Sequence, residues 1–181
     1  MKIVLHICCG VCAAGAVEAL ATEGHQVIGF FYNPNIHPAE EYERRLATTY
    51  RVTQELNFPL EVAPYTPEEW LRETDSLKHE PEGGRRCQVC FRIRLEKTYH
   101  HLIDCGADAF TTTLTISPHK SVEAVNKIGQ EVGEERFLVR DFKKKDGFKR
   151  AIRLARQWEL YRQDYCGCIY SMRQRRQRRQ R

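Results

Sequence analysis

The chain has 181 residues, 41% hydrophobic and 29% charged, with a formal net charge of +5, enough for one substantial core and short for two. No apolar run approaches membrane-spanning length and the first residues lead straight into a strand, so neither a membrane protein nor a secreted disulfide scaffold with a signal peptide is expected. The eight cysteines therefore point to metal or redox chemistry in a reducing compartment, the cytoplasm.

The basic surplus is local. Without the six arginines between Arg173 and Arg181 the body holds 23 basic residues against 24 acidic. We expect one domain over residues 1–172 and, over residues 173–181, a tail too polar and repetitive to pack, disordered alone, that is either a solvated end or a nucleic-acid anchor.

Taken in order, KIVLHI is a strand that ends directly in thiols at HICCGVC, His6 to Cys12, where a helix opens and runs to Gly24. A strand ending in cysteines at a helix start is an active-site address. Ligands of open α/β sheets bind beyond the carboxyl ends of parallel strands, and a helix N-terminus there favours thiolate over thiol. HQVIGFFYNP is a second strand; Pro38 suits the first turn of a helix reaching about Asn57; LEVAPY is a third strand. PEEWLRETD is helical, and after a loop rich in charge and glycine a further helix spans about Cys87 to Gly106. ADAFTTTLTIS reads as a strand broken at Ser117-Pro118, SVEAVNKIGQEVG as a helix, RFLVRDF as a strand, and about Phe148 to Gln163 as a long helix. Alternating strands and helices without an internal repeat indicate an α/β fold with a largely parallel sheet.

Seven cysteines fall in three clusters: Cys8, Cys9 and Cys12; Cys87 and Cys90; Cys166 and Cys168. Small buried residues at a strand end account poorly for three thiols in five positions. A CxxC at a helix start aims two thiolates at one metal or cluster, and Arg85 and Arg86 beside it lower thiol pKa. A CxC pair binds one metal or closes a strained, easily reduced ring. Zinc, a disulfide relay and an iron–sulfur cluster all fit the spacing, but seven thiols exceed the four of a closed zinc site. Cys105 stands alone and is assigned to packing.

Polar motifs gather at the same edge: Tyr32 to Pro38 with Glu41, Tyr42 and Arg45; Thr111 to Lys120, of which Thr111 has ordinary β-propensity; Asp141 to Lys145; and Tyr161, Arg162, Gln163 and Tyr165. His6, His37 and His119 are candidate acids, and His6 also suits a satisfied buried histidine.

Together HICCGVC, YNPNIHPAEEYERR, RCQVCFRIRL, TTTLTISPHK, DFKKKDGF and YRQDYCGCIYS resemble the QueH family, the cobalamin-independent epoxyqueuosine reductases, over about residues 3–172. The resemblance implies a Rossmann-like layer akin to PP-loop (HUP) nucleotide-binding domains, and reduction of the epoxide of epoxyqueuosine at the tRNA wobble position to queuosine. It also implies a 4Fe-4S cluster with a mononuclear iron beside it, and an external electron donor, ferredoxin- or flavodoxin-like. Carried over by motif, Cys8, Cys9, Cys87 and Cys90 are the cluster ligands. Cys166 and Cys168 are a redox-active disulfide pair or ligands of the second iron. Cys12, where some relatives carry Asp, is a third ligand to that iron. The catalytic set is then Cys12, Cys166, Cys168 and His119. The substrate-facing set is Tyr32, Asn33, Asn35, His37, Tyr42, Arg45, Thr112, Ser117, His119, Lys120, Lys143, Tyr161 and Arg162. A zinc-stabilised tRNA-binding module is the competing reading. A sulfurtransferase or adenylating enzyme of this fold requires a glycine- and serine-rich phosphate loop that HICCGVC does not supply.

Overall fold

The computed structural model describes residues 1–179, with side chains to Arg175. Four strands, β1 (Lys2–His6), β2 (Gln26–Phe31), β3 (Leu60–Val62) and β4 (Ala109–Thr112), form one parallel sheet in the order β3-β2-β1-β4. The helices are α1 (Gly10–Thr22), α2 (Ala39–Leu56), α3 (Pro67–Thr74), α4 (Arg85–Asp104), α5 (Val122–Gly133), α6 (Gly147–Gln157) and α7 (Ile169–Arg179).

The order of the strands dictates the layers. The chain steps outward from β1 to β2 to β3, then returns past β1 to β4. Right-handed crossovers in opposite directions put α1 and α2 on one face and α3 and α4 on the other. The packing agrees: α1 lies against α2 and α6, and α4 against α3 and α5 while covering β1 and β4. With both faces covered, Ile3, Val4 and Leu5 of β1 are fully buried whichever way they point, which is why KIVLHI is a continuous apolar run rather than an alternating one. The order reverses between β1 and β4, so the crevice of this α/β sheet opens just beyond His6 and Thr112, which pair in register.

Three elements differ from expectation. The stretch around Phe137 forms no strand. It makes a single bridge to Phe110, with Leu138 N–H donating to the Phe110 carbonyl (2.8 Å) and the Thr111 hydroxyl to the Leu138 carbonyl (2.9 Å), before the chain turns away. The threonine-rich strand stops at Thr112, whose hydroxyl accepts the Leu114 N–H (3.1 Å) and starts a 3-10 turn over Thr113–Ile116. The long helix ends at Gln157 rather than Gln163, because Leu160 N–H folds back to the Ala155 carbonyl (2.8 Å) with Glu159 in the left-handed region (φ 50°). Residues 158–168 are thereby freed to cross the crevice as a loop.

Where the sequence suggests a disordered tail from Arg173, the chain continues α7 to Arg179. Arginine and glutamine are good helix formers, and Arg175 is ion-paired with Asp164 of the preceding loop. Residues 180 and 181 of that tail lie outside the described residues.

Candidate active site

The first thiols sit where β1 hands over to α1. Cys9 is the N-cap of α1 in extended conformation, and its sulfur accepts the Cys12 N–H at 3.4 Å, where a serine oxygen commonly serves. Gly10 follows because any Cβ there would lie 2.6 Å from Thr48 Cγ2 and the Thr48 carbonyl, so its lack of a side chain lets α1 start against α2. One helical turn then returns Cys12 to the same end, and the sulfurs of Cys8, Cys9 and Cys12 lie within 4.8 Å of one another. Thr113 brackets Cys8, accepting its N–H (3.0 Å) and donating to its sulfur (3.3 Å). Gln163, from the far end of the chain, donates to Cys9 Sγ at 2.9 Å. Hydrogen bonds from Cys12 and Cys9, then the charge of Lys120, hold Cys8 well below the usual thiol range; the same contacts, with burial, push Cys12 up. The group thus favours a thiolate at Cys8, the anionic form that binds soft metals.

The second group is built from two elements. Cys87 and Cys90 lie on the first turns of α4, three apart and so on one face; Gly83 N–H donates to Cys87 Sγ (3.2 Å). Cys166 and Cys168 come from the loop before α7, where Ser171 N–H donates to Cys168 Sγ (3.3 Å). All four line one cavity together with Trp70, Arg86, Arg94, His119 and Lys120. A hydrogen bond from Cys168 and the charge of Lys120 draw Cys166 well below the usual thiol value despite its burial, and Cys168 is raised in turn; burial raises Cys87. All eight cysteines are free thiols, Cys166 and Cys168 included. This cavity adjoins a wider cleft of about 450 Å³ lined by Cys8, Cys12 and Arg45, and Glu82, Arg94, His119, Lys120 and Cys166 belong to both.

The walls carry buried donors without acceptors. Arg86 is 1% exposed; its Nη1 donates to the carbonyls of Leu77, Lys78 and Glu80 and its guanidinium lies 4.6 Å from the Tyr170 ring centroid, yet Nε and Nη2 have no partner among the described residues. Trp70 Nε1, in an indole packed on Cys90 and Cys168, is likewise unpartnered. Unpaired buried donors are costly. Beside Cys87 and Cys90 they suit a bound group that is anionic and rich in acceptor atoms, such as a thiolate-ligated iron–sulfur cluster.

Of the remaining expected residues, Asn35, Arg45, Ser117, His119, Lys120 and Arg162 border the cavity or cleft. Others are engaged by the scaffold. Tyr42 is 4% exposed and stacks on Tyr65 in the core. Asn33 donates to the Ile7 carbonyl (2.8 Å), Thr112 bonds His6 Nδ1 (2.8 Å), and the buried Tyr32 gives its carbonyl to His6 Nε2 (3.1 Å). A carbonyl only accepts, so His6 carries its proton on Nε2 and is the satisfied buried histidine, with both nitrogens engaged. His37 Nδ1 donates to the Asn35 carbonyl (2.9 Å), Lys143 Nζ to the Ser117 carbonyl (3.5 Å), and the Tyr161 hydroxyl to Glu41 (2.6 Å). Arg45 belongs to both groups: it borders the cleft, but Nε is paired with Glu41 (2.7 Å) and its two Nη atoms hold the carbonyls of Cys166 (3.2 Å) and Tyr165 (3.0 Å). The sequence reading placed Thr113 only within the Thr111–Lys120 stretch and Arg86 only as one of two arginines beside the CxxC, assigning neither an individual site role. Thr113 sits in the motif TTTL, and a threonine one residue past a strand end, opposite a thiol strand, was the available signal; nothing local distinguishes Arg86 from Arg85. Cys105 caps the end of α4, half-buried, away from both thiol groups.

The sequence profile of the family described as epoxyqueuosine reductase QueH matches residues 3–174. A relative of that name from Streptococcus pyogenes is 40% identical, the match covering 94% of this chain and 70% of the relative. One from Acinetobacter baylyi is 33% identical over 95% and 81%, and one from Thermotoga maritima 32% identical over 97% and 93%. Among solved structures, the U34-tRNA thiolase NcsA from Methanococcus maripaludis, with its [4Fe-4S] cluster, superposes with a TM-score of 0.60 at 13% identity over 94% of this chain and 61% of that one. NMN synthetase from Francisella tularensis gives 0.54 at 12% identity over 91% and 66%. At these identities the structures establish a shared PP-loop-like architecture.

Proposed function

Since this chain belongs to the QueH family and is an epoxyqueuosine reductase, we propose that the thiol-lined cleft beyond β1 and β4 is where the epoxide of epoxyqueuosine, at the wobble position of tRNA, is reduced to the alkene of queuosine. The observation that carries this is the convergence of three distant segments, residues 8–12, 87–90 and 166–168, on two adjoining cavities at the carboxyl edge of the sheet.

The reaction consumes two electrons and two protons and releases the epoxide oxygen as water. A 4Fe-4S cluster, with a further iron, would supply the electrons and a Lewis-acidic metal when bound. Cys8, Cys9, Cys87 and Cys90 would hold the cluster and Cys12 would face the second iron. Cys166 and Cys168, the remaining pair, would cycle between dithiol and disulfide or add to the metal ligands. Arg86, Arg94 and Lys120 offset the charge of the thiolates. His119 is exposed at the mouth shared by both cavities, and its ring makes no hydrogen bond among the described residues, so it is placed to deliver a proton to the departing oxygen. The electrons come from an external ferredoxin- or flavodoxin-like donor, in the cytoplasm. No helix among the described residues is long and apolar enough to cross a membrane.

Cys87→Ala tests the assignment. Anaerobically purified variant should lose both brown absorbance and acid-labile sulfide, and turnover on tRNA should fall at least about a hundredfold. Full colour with full activity would remove Cys87 from the ligands, and zinc without iron in the wild type would favour the RNA-binding module instead.

A further inference from the structure

The sequence directs attention to its arginine-rich end as the site of nucleic-acid contact, yet a second basic surface also adjoins the thiol-bearing cleft. α6, GFKRAIRLARQ, carries Lys149, Arg150, Arg153 and Arg156 and no acidic residue. Ala151, Leu154 and Ala155 are buried, in a helix that packs on α1, while Lys149, Arg153 and Arg156 are exposed. Positions 149, 153 and 156 recur at the i, i+4, i+7 spacing that keeps side chains on one side of a helix, over about 10 Å of axis. Lys149 pairs with Asp146 (2.9 Å) at an exposed site, where such a pair contributes little, and Arg150 pairs with Glu18 (3.3 Å). Among the described residues, Arg153 and Arg156 have no ion pair.

This cationic row borders a groove of about 390 Å³, lined by Phe148, Lys149, Ile152, Arg153 and Arg156. The groove is not isolated. Phe148 and Ile152 also line the cleft that contains Cys8, Cys12, His119 and Arg162. A polyanion seated along α6 would therefore run directly into the thiol-bearing cleft, past a half-buried aromatic ring suited to a base or sugar face.

We propose that the outer face of α6 is the docking strip for the phosphate backbone of the substrate tRNA beside the modified nucleotide, with Arg153 and Arg156 as its principal phosphate contacts. The proposal rests on the cleft being the place of reaction, and adds where the strand leading into it lies. Phosphate contacts of this kind position the RNA without reading its sequence.

The test is binding of unmodified tRNA to the full-length chain, measured across a salt series, for the wild type, the double variant Arg153→Gln/Arg156→Gln, and Arg72→Gln, which removes an exposed cation on α3. Each lost phosphate contact should make the plot of log K against log salt shallower by about 0.7–0.9, so the double variant should lose about 1.5 from the slope and bind several-fold more weakly at low salt. Arg72→Gln should match the wild type. A double variant with wild-type slope and affinity, or an equal loss in Arg72→Gln, overturns the assignment. Binding is read without turnover, so failure of the chemistry at the cleft, scored separately on modified tRNA, is distinguishable from failure of this surface.

Discussion

At the scale of single residues, burial decides what a side chain does here more than its chemical type. His6 is the clearest case, adjacent in sequence to the thiols and a plausible acid, yet fully buried between Thr112 and the Tyr32 carbonyl. Burial, then the nearby charge of Arg94, lowers its pKa to about 3. The folded state therefore keeps His6 neutral while the unfolded chain takes up a proton near pH 6.5. Its contribution is complete above that value and is lost as the pH falls from about 6.5 toward 3. Denaturant titrations should show stability declining across that window by up to ~1.4 kcal/mol per pH unit from this group. His6→Gln should remove that part of the slope while lowering stability throughout; an unchanged slope would mean that His6 titrates normally. The thiol pattern, by contrast, was legible residue by residue, because cysteines in short spacings at predicted helix starts have few structural explanations.

At the scale of elements, the loop bearing Cys166-Gly167-Cys168 is held by α2 and the segment leading into it through contacts that no local pattern announces. Arg45 holds the Tyr165 and Cys166 carbonyls, His37 N–H holds the Gly167 carbonyl (2.8 Å), and the Tyr165 hydroxyl donates to the His37 carbonyl. Gly167 has φ 106°, and a Cβ there would sit 3.0 Å from both Arg45 Nη1 and Ile36 Cγ1, so glycine is required twice over. Glu41, accepting from Arg45 and Tyr161, fixes the guanidinium. Arg45→Lys keeps the charge but replaces a rigid fork by a point donor. We expect iodoacetamide to label Cys166 and Cys168 several-fold faster in that variant, with Cys105 unchanged as an internal reference; Tyr161→Phe should have a smaller effect. Equal labelling of wild type and Arg45→Lys would dissociate α2 from the pair. In the sequence Arg45 and Tyr161 look like substrate contacts, since their pairing through Glu41 spans 120 positions and exists only after folding. The missing strand near Phe137 and the early end of α6 were not legible because β-propensity and helical periodicity continue there; pairing at Phe137 is limited to one bridge with Phe110, and α6 is closed locally by the Leu160 N–H on the Ala155 carbonyl with Glu159 left-handed.

At the scale of the whole molecule, strand order places the chemistry. Alternating elements were enough to predict a parallel sheet, and the return of the chain from β3 to β4 puts the crevice beside β1. Charge is arranged around that crevice, with buried guanidinium groups within and the row on α6 outside. If metal is held across both thiol groups, removing it with a chelator under reducing conditions should lower the thermal midpoint by at least several degrees and expose residues 158–168 to proteolysis first. An apo chain as resistant as the loaded one would place all ligands within a single segment.

The loop after α6 has a further consequence. Gln163 touches Cys9, so the last ordered segment before α7 is fastened to the first turn of the chain. A metal bridging these ends would act as a clasp on a ring that includes nearly every residue, restricting the unfolded ensemble far more than a local staple could. During synthesis such a centre would not be completed until that segment had left the ribosome, so a metal captured earlier by residues 8–12 alone would be held by an unfinished coordination shell.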